Sequence, residues 1–316
     1  MTFRILNTLD LAGCPEAVAA FDGIGVIESL APDYGTVLSR IGEFDAYLAS
    51  AAVPVDEPMV RAAKRLKVIG SPSTGTDHLD KAAIATAGIP CFDIAQEYDL
   101  IWSFSATSEL AFGLILALNR GLCRAAKAAR AGDWARERFT GFQLAGKTLG
   151  ILGLGRLGQI SARIGQGFGM RVQATDVRDV RAPGVARVDF DTLFSTSDVL
   201  TIHVHLTPET EGLVDARALA LMRPGAILIN TSRGRIVDEA ALLNSLRAGR
   251  IRAGLDVIDG EWMEDKSAHP LVRYAREHDG LIITPHIGGA TTESIYGARV
   301  FMARRVADFL HGLAGK

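Results

Sequence analysis

Short apolar runs alternate along the chain with longer stretches whose apolar residues recur at helical spacing. The first series is Ile5 to Leu9, Gly25 to Ile27, Ala46 to Ala49, Leu66 to Gly70 and Ile89 to Phe92. The second is Thr148 to Leu152, Arg171 to Thr175, Val199 to His203, Ala226 to Asn230, Ile251 to Leu255 and Leu281 to Thr284. Strands that alternate with helices form parallel sheets, because each parallel step needs a crossover long enough for a helix. The pattern therefore predicts an α/β chain with two doubly wound parallel sheets. Two longer helices, Ala106 to Asn119 and Thr292 to Leu313, are expected to carry the chain between them, the second with Ile295, Val300 and Val306 on its apolar face. The predicted division is 1–106 with 292–316 as one domain, and 107–291 inserted as the other.

One strand end carries a recognisable chemistry. Gly153-Leu154-Gly155-Arg156-Leu157-Gly158 follows the strand Leu149 to Leu152 and enters a helix predicted over Gln159 to Phe168. A Gly-x-Gly-x-x-Gly run alone is a weak signal, but here strand, helix and a downstream acid agree. The first glycine suits a tight turn, the second the approach of a pyrophosphate, and the third helix packing on the strand, while the helix N-terminus attracts the anion. Asp176 closes the strand Met170 to Thr175, where its carboxylate accepts ribose hydroxyls and repels a 2'-phosphate. NAD is therefore expected over NADP, a preference that Arg178 tempers.

In open α/β sheets ligands sit beyond the carboxyl ends of the strands. Three ends stand out: Thr231-Ser232-Arg233-Gly234, Asp256 onward to Glu261, and Pro285-His286-Ile287-Gly288-Gly289. They offer an arginine, carboxylates and a histidine. A guanidinium matches a carboxylate with two parallel hydrogen bonds, and a histidine can exchange a proton near neutral pH.

In combination with Leu206-Thr207-Pro208-Glu209-Thr210, Asn230 to Gly234 and Gly254-Leu255-Asp256-Val257, these motifs resemble the D-isomer-specific 2-hydroxyacid dehydrogenases over nearly the whole chain. The resemblance implies a Rossmann NAD-binding domain inserted in a flavodoxin-like substrate domain. It implies a hydride transfer between NAD(H) and a 2-keto acid or D-2-hydroxy acid. In that reading Arg233 holds the substrate carboxylate, His286 is the acid/base, and Glu261 partners it, raising its pKa and favouring reduction. Gly153, Gly155, Arg156, Leu157, Gly158 and Asp176 are the implied cofactor contacts around the fingerprint. Thr207, Thr231, Ser232, Asp256, His286 and Gly288 are those along the other strand ends. The loop Ser73, Thr74 and Gly75, after the strand ending at Gly70, is implied to offer backbone amides to the substrate carboxylate. The resemblance further implies a homodimer, with Leu122 to Phe142, including Trp134 and Phe139, as the dimer arm. Two other readings stand beside the dehydrogenase: an NAD(H)-sensing, corepressor-like binding protein, and a phosphite-type dehydrogenase on the same scaffold.

Several positions depart from the family pattern. Trp262 replaces a usual proline, and Asp259, Glu264 and Asp265 crowd Glu261, so another acid could take its place if the loop is shifted. His205 also replaces a proline; with His203 it suggests a metal only if a third ligand exists, and no metal is expected. The stretch Asp93 to Ser105 replaces a shorter segment, and its Tyr98, Trp102 and Phe104 are expected either to wall a larger substrate side chain or to pack the domain junction. Ala49 stands where the phosphoglycerate branch has an arginine for phosphate. The chain also ends soon after the last helix, where some of that branch carries a regulatory domain, so a serine-pathway role is not expected. Glu261 likewise disfavours the formate branch, which has glutamine there. A small or medium 2-keto acid remains.

Bulk properties exclude other classes. Net charge is -2 over 316 residues, with arginines scattered among acids, so nucleic-acid binding is not expected. Cys14, Cys91 and Cys123 show no metal-like or disulfide spacing and suit a reducing compartment. The chain opens directly on a strand at Phe3 without a secretion signal, and the run Leu110 to Leu118 falls short of the roughly twenty residues of a membrane span. A cytoplasmic location is expected, with no membrane partner.

Overall fold

The structure, a computed structural model, describes residues 2–261 and 265–315. The chain divides into two compact units, Met1–Phe104 with Thr291–Lys316, and Ser105–Ala290.

The first unit holds a five-stranded parallel sheet: β1 (Phe3–Asn7), β2 (Gly25–Ser29), β3 (Ala46–Leu48), β4 (Val68–Gly70) and β5 (Cys91–Phe92), in the order β2-β1-β3-β4-β5. Side chains alternate between faces along a strand. Ile5, Ala46, Leu48 and Val68 accordingly pack into one core, with Met302, Val306 and Leu310 of the Thr292–Ala314 helix. Leu6, Tyr47 and Ile69 pack into another on the opposite face, with Val37, Met59 and Ile84. A sheet covered on both faces needs apolar residues at every position, which is why these strands read as continuous runs. Gly70 is required where the helix crosses: a methyl there would lie 2.5 Å from Val306 Cγ2 and 2.8 Å from Met302 Sδ.

The second unit repeats the logic with seven parallel strands: β6 (Thr148–Leu152), β7 (Arg171–Thr175), β8 (Val185–Arg187), β9 (Val199–Ile202), β10 (Ile227–Asn230), β11 (Arg252–Leu255) and β12 (Leu281–Ile283). Their order is β12-β11-β10-β9-β6-β7-β8, so the direction of winding reverses between β6 and β9. Leu149, Ile151, Val199, Ile227 and Ile229 face a core shared with the Ala106–Arg120 helix. Leu152, Leu200, Ile202, Leu228 and Leu255 face the other. Truncating any of these to alanine costs about 2–5 kcal/mol, the usual range for a buried leucine or isoleucine. The Ala106–Arg120 helix stops at Gly121, whose φ of 56° is left-handed and cheap only for glycine.

Three sequence expectations need adjustment. β8 has no counterpart among the predicted strands, because its three residues lie at the sheet edge and only Val185 is half-buried. The helix expected from Gln159 begins at Arg156, directly on the fingerprint. The stretch Tyr98–Arg120 is long and apolar enough by composition to cross a membrane, contrary to the estimate from its longest apolar run. It is nevertheless two helices, Tyr98–Ile101 and Ala106–Arg120, and the second is a core helix of its unit.

Candidate active site

The fingerprint glycines occupy three different physical situations. Gly153 has φ 95°, and a methyl on it would meet the His203 carbonyl oxygen at 2.7 Å. Gly158 lies so close to the turn that a methyl would stand 2.1 Å from the Gly153 carbonyl oxygen. Gly155 is different: its α-carbon faces open space except for the Arg178 guanidinium, 3.5 Å from a methyl there. It is also the N-cap of the Arg156–Gly167 helix, with no side chain capping that end. The uncapped N–H groups and the bare α-carbon form a cradle for an anion pressed against backbone.

Asp176 follows β7 and is almost fully covered. Its Oδ2 accepts from the Leu154 N–H at 2.8 Å and its Oδ1 from the Arg178 N–H at 2.9 Å. The Arg178 side chain adds Nε to Oδ1 and Nη2 to Oδ2, both at 3.0 Å. Burial works against the charge of Asp176, but these four donors outweigh it and hold the carboxyl below its ordinary range.

On the far side of the switch point, His203 sits at the end of β9 with Nε2 2.9 Å from Ser161 Oγ and 3.1 Å from Thr201 Oγ1. Burial, then the charge of Arg156, pushes its pKa down to about 4, so the ring is neutral at physiological pH. Its neighbour His205 is held below its ordinary range, first by desolvation and then by the charges of Arg233, Arg178 and Arg156. No group of three His, Cys, Asp or Glu side chains suited to a metal occurs among the described residues. Thr207 lies in the exposed turn beyond, its N–H bonded to Thr210 Oγ1 at 2.8 Å.

After β10, Asn230 fixes the loop from both sides: Nδ2 donates to the Arg233 carbonyl at 2.8 Å and Oδ1 accepts from the Ser232 N–H at 3.0 Å. Ser232 Oγ ties the loop back to the Ile202 carbonyl at 2.8 Å. Thr231 is buried, and its hydroxyl has no hydrogen-bond partner among the described residues. A buried orphan hydroxyl is costly unless a ligand meets it. Arg233 is half-buried, with Nη1 on the Ser232 carbonyl at 2.8 Å. The next residue must be glycine: a methyl on Gly234 would lie 2.2 Å from the Ile258 carbonyl carbon and 2.3 Å from the Asp259 nitrogen. That close passage brings the segment carrying Glu261 against the Arg233 loop. Arg235 points elsewhere and pairs with Glu211 at the surface.

Glu261 Oε1 and His286 Nδ1 are 2.7 Å apart, with side chains 15% and 30% exposed. His286 has φ 53°, the one non-glycine residue with positive φ among those described. Such a conformation persists only where the surroundings dictate it. Asp256 does so here: buried at the end of β11, its Oδ1 accepts from Thr284 Oγ1 at 2.6 Å and the Ile287 N–H at 2.9 Å, and its Oδ2 from the Gly288 N–H at 2.7 Å. Its carbonyl also receives the His286 N–H at 2.8 Å. One lone pair of Oδ2 remains for a further donor.

The sequence reading did not single out Glu239. Its Oε1 accepts from the Asp259 N–H at 2.8 Å and its Oε2 meets His269 Nε2 at 3.1 Å, so it anchors the start of the Glu261 segment. It stands in the first turn of the Glu239–Arg247 helix, after the N-cap Asp238, where an acid is ordinary helix chemistry and gives no signal of this contact. Trp262 and Glu264 lie outside the described residues.

The remaining candidates belong to the first unit. Ser73, Thr74 and Gly75 form a half-buried loop after β4, whose neck is closed by Ser71 Oγ and His78 Nε2 at 2.9 Å. Of the aromatic residues beyond β5, Phe104 packs into the unit's core, whereas Tyr98 and Trp102 are exposed. Ala49 is fully buried and carries no charge.

A seven-stranded parallel sheet with a glycine cradle, an acid closing its β7 strand and a clamped histidine–glutamate pair has the architecture of a dinucleotide-binding domain. Residues 112–288 match the family described as D-isomer specific 2-hydroxyacid dehydrogenase, NAD binding domain. The chain belongs to that family. It is 36% identical over 286 residues to D-3-phosphoglycerate dehydrogenase of Mycobacterium leprae, covering 89% of this chain and 52% of that protein. It is 35% identical over 294 residues to glyoxylate reductase of Thermococcus litoralis, covering 89% of this chain and 85% of that protein. Among solved structures, D-lactate dehydrogenase from Aquifex aeolicus complexed with NAD and lactic acid superposes with a TM-score of 0.86 at 26% identity, covering 98% of this chain and 96% of the other. The chain spans about half the length of the phosphoglycerate dehydrogenases it matches.

Proposed function

We propose that this chain uses NADH to reduce a small or medium, unphosphorylated 2-oxo acid to the D-2-hydroxy acid. The observation that carries the reading is the 2.7 Å His286–Glu261 contact on a loop clamped by Asp256. The cradle at Gly155, the orphan Thr231 hydroxyl and Asp176 fit a dinucleotide, which when bound supplies the hydride. Arg233 pairs with the substrate carboxylate and polarises the adjacent carbonyl. With Nδ1 directed at Glu261, which orients the ring, His286 gives the proton on Nε2 to the carbonyl oxygen. Asp256 positions the loop and keeps one acceptor site for a carboxamide N–H. Ser73, Thr74 and Gly75 supply backbone N–H groups suited to a carboxylate. The uncharged, buried Ala49 supports an unphosphorylated substrate, and the unpaired thiols of Cys14, Cys91 and Cys123 support a reducing, cytoplasmic setting.

The test is NADH absorbance against a panel of glyoxylate, hydroxypyruvate, pyruvate, branched and aromatic 2-oxo acids and 3-phosphohydroxypyruvate. Turnover of unphosphorylated members is expected. Tight NADH binding without turnover on any member would instead support a sensing role, and preference for the phosphorylated acid would overturn the substrate class.

We further propose a homodimer formed through residues 122–142. The Leu122–Arg130 helix buries no residue within the chain, and a helix of nine residues is not stable alone in water. Trp134 beside it is 80% exposed, and an open groove of about 780 Å³ lined by Leu116, Arg120, Phe139, Phe142 and Phe168 lies next to it. Sedimentation at micromolar concentration should give twice the 33.7 kDa chain mass, and Trp134→Glu should give the monomer. A monomeric native chain would reject the proposal.

A further inference from the structure

The segment that carries Glu261 is held at both ends by one side chain of a neighbouring helix. Glu239, in the first turn of the Glu239–Arg247 helix, accepts the Asp259 N–H on Oε1 at 2.8 Å and meets His269 Nε2 with Oε2 at 3.1 Å. Asp259 and His269 bound the excursion that leads from β11 to the Pro270–Glu277 helix. His269 is itself fixed. It is the N-cap of that helix, its Nδ1 accepting from the Leu271 N–H at 3.3 Å, so the ring hydrogen stands on Nε2 and faces Glu239. The helix behind it is docked: Leu271 packs in the same core as Leu242 and Leu246, and Tyr274 Oη donates to the Leu246 carbonyl at 2.9 Å. Between the anchored Asp259 and Glu261 stands Gly260, at φ 69°, with no side chain to restrict its own path. The direction in which Glu261 leaves therefore depends on where Asp259 is held.

We infer that Glu239 and His269 form a brace that holds Glu261 at its 2.7 Å contact with His286 Nδ1, and that both are positioning residues for the proton transfer. The inference rests on the proposed acid/base role of the His286–Glu261 pair. A carboxylate suits the brace because both of its ends present donors, and a carboxylate has an acceptor for each. The two side chains are 19% and 18% exposed, and burial, the largest influence on Glu239, pushes its carboxyl above the ordinary range. A pair covered in this way adds little net stability, so its contribution is geometric. Glutamine cannot replace the acid: whichever end its oxygen serves, its amide hydrogens face the donor at the other.

Hydrogen exchange followed by mass spectrometry reads the segment without any substrate. Glu239→Gln and His269→Asn should each speed exchange in the peptide spanning residues 257–261 by about tenfold, as expected for one lost hydrogen bond to a charged group. Asparagine at 269 keeps the helix cap but is too short to reach Glu239, so the brace is lost and the helix start is not. Steady-state oxidation of NADH with glyoxylate should show kcat lowered about tenfold in both variants, from displacement of the pair, with the NADH affinity unchanged by fluorescence titration. The same substitutions made in Glu261→Gln should change kcat by less than about twofold, because nothing remains for the brace to position. A fall as large in that background as in the native chain, or unchanged exchange at 257–261 in His269→Asn, would overturn the brace. If Glu261→Gln itself keeps the native kcat, the acid/base reading fails and takes this inference with it. If Glu261→Gln is slow and His269→Asn is not, the brace alone is wrong.

Discussion

Replacing His286 with asparagine is expected to lower kcat for 2-oxo acid reduction by about two to four orders of magnitude while NADH binds nearly as before. The proton that must reach the carbonyl oxygen as hydride reaches the carbon has no donor of comparable acidity in that variant. Asparagine is the informative choice for a conformational reason. The residue sits at φ 53°, where asparagine is among the few side chains at ease, so the loop held by Asp256 keeps its path. Alanine would mix lost chemistry with backbone strain. Stopped-flow single turnovers give the chemical rate and fluorescence titration gives the NADH affinity. A kcat within fivefold of native would remove His286 from proton transfer.

The second large effect is expected at Arg233. Lysine retains the positive charge but presents a point donor in place of a planar fork, so one of two charge-assisted hydrogen bonds to the carboxylate is lost. Such a bond is worth about 1.5–3 kcal/mol, which corresponds to a fall in kcat/KM of roughly ten- to more than a hundredfold. Part of the fall should appear in kcat, because the same guanidinium polarises the carbonyl. NADH affinity should change little. Steady-state kinetics with a saturable 2-oxo acid separates the two parameters, and an unchanged kcat/KM would show that another group binds the carboxylate.

Much of this architecture is written in the sequence because both sheets are covered on both faces. Central strands such as β6 and β10 are buried at every position, so they appear as unbroken apolar runs. β8 escaped notice for the opposite reason: an edge strand with one half-buried residue carries little apolar signal. The site followed the same division. Arg233, Asp256 and His286 stand directly after strands, where α/β topology gathers chemistry, so position alone marked them. The supports of the site were not visible, because they depend on contacts distant in sequence. Glu239 reaches the Asp259 N–H twenty residues away, and Gly234 matters only because Ile258 passes over it. Arg178 was visible as a charge near Asp176, but its closed fork depends on how the chain turns after β7.

Gly234 has a consequence for how such a chain can diversify. The backbone at Ile258 and Asp259 occupies the space of its missing side chain, so the arginine loop and the glutamate segment are seated on one another at contact distance. They share a single datum, as two machined parts do when referenced to one face. Changes elsewhere in the chain can accumulate while this contact keeps the spacing between the Arg233 loop and the Glu261 segment. A side chain at position 234 would place a shim in that joint and disturb both groups together.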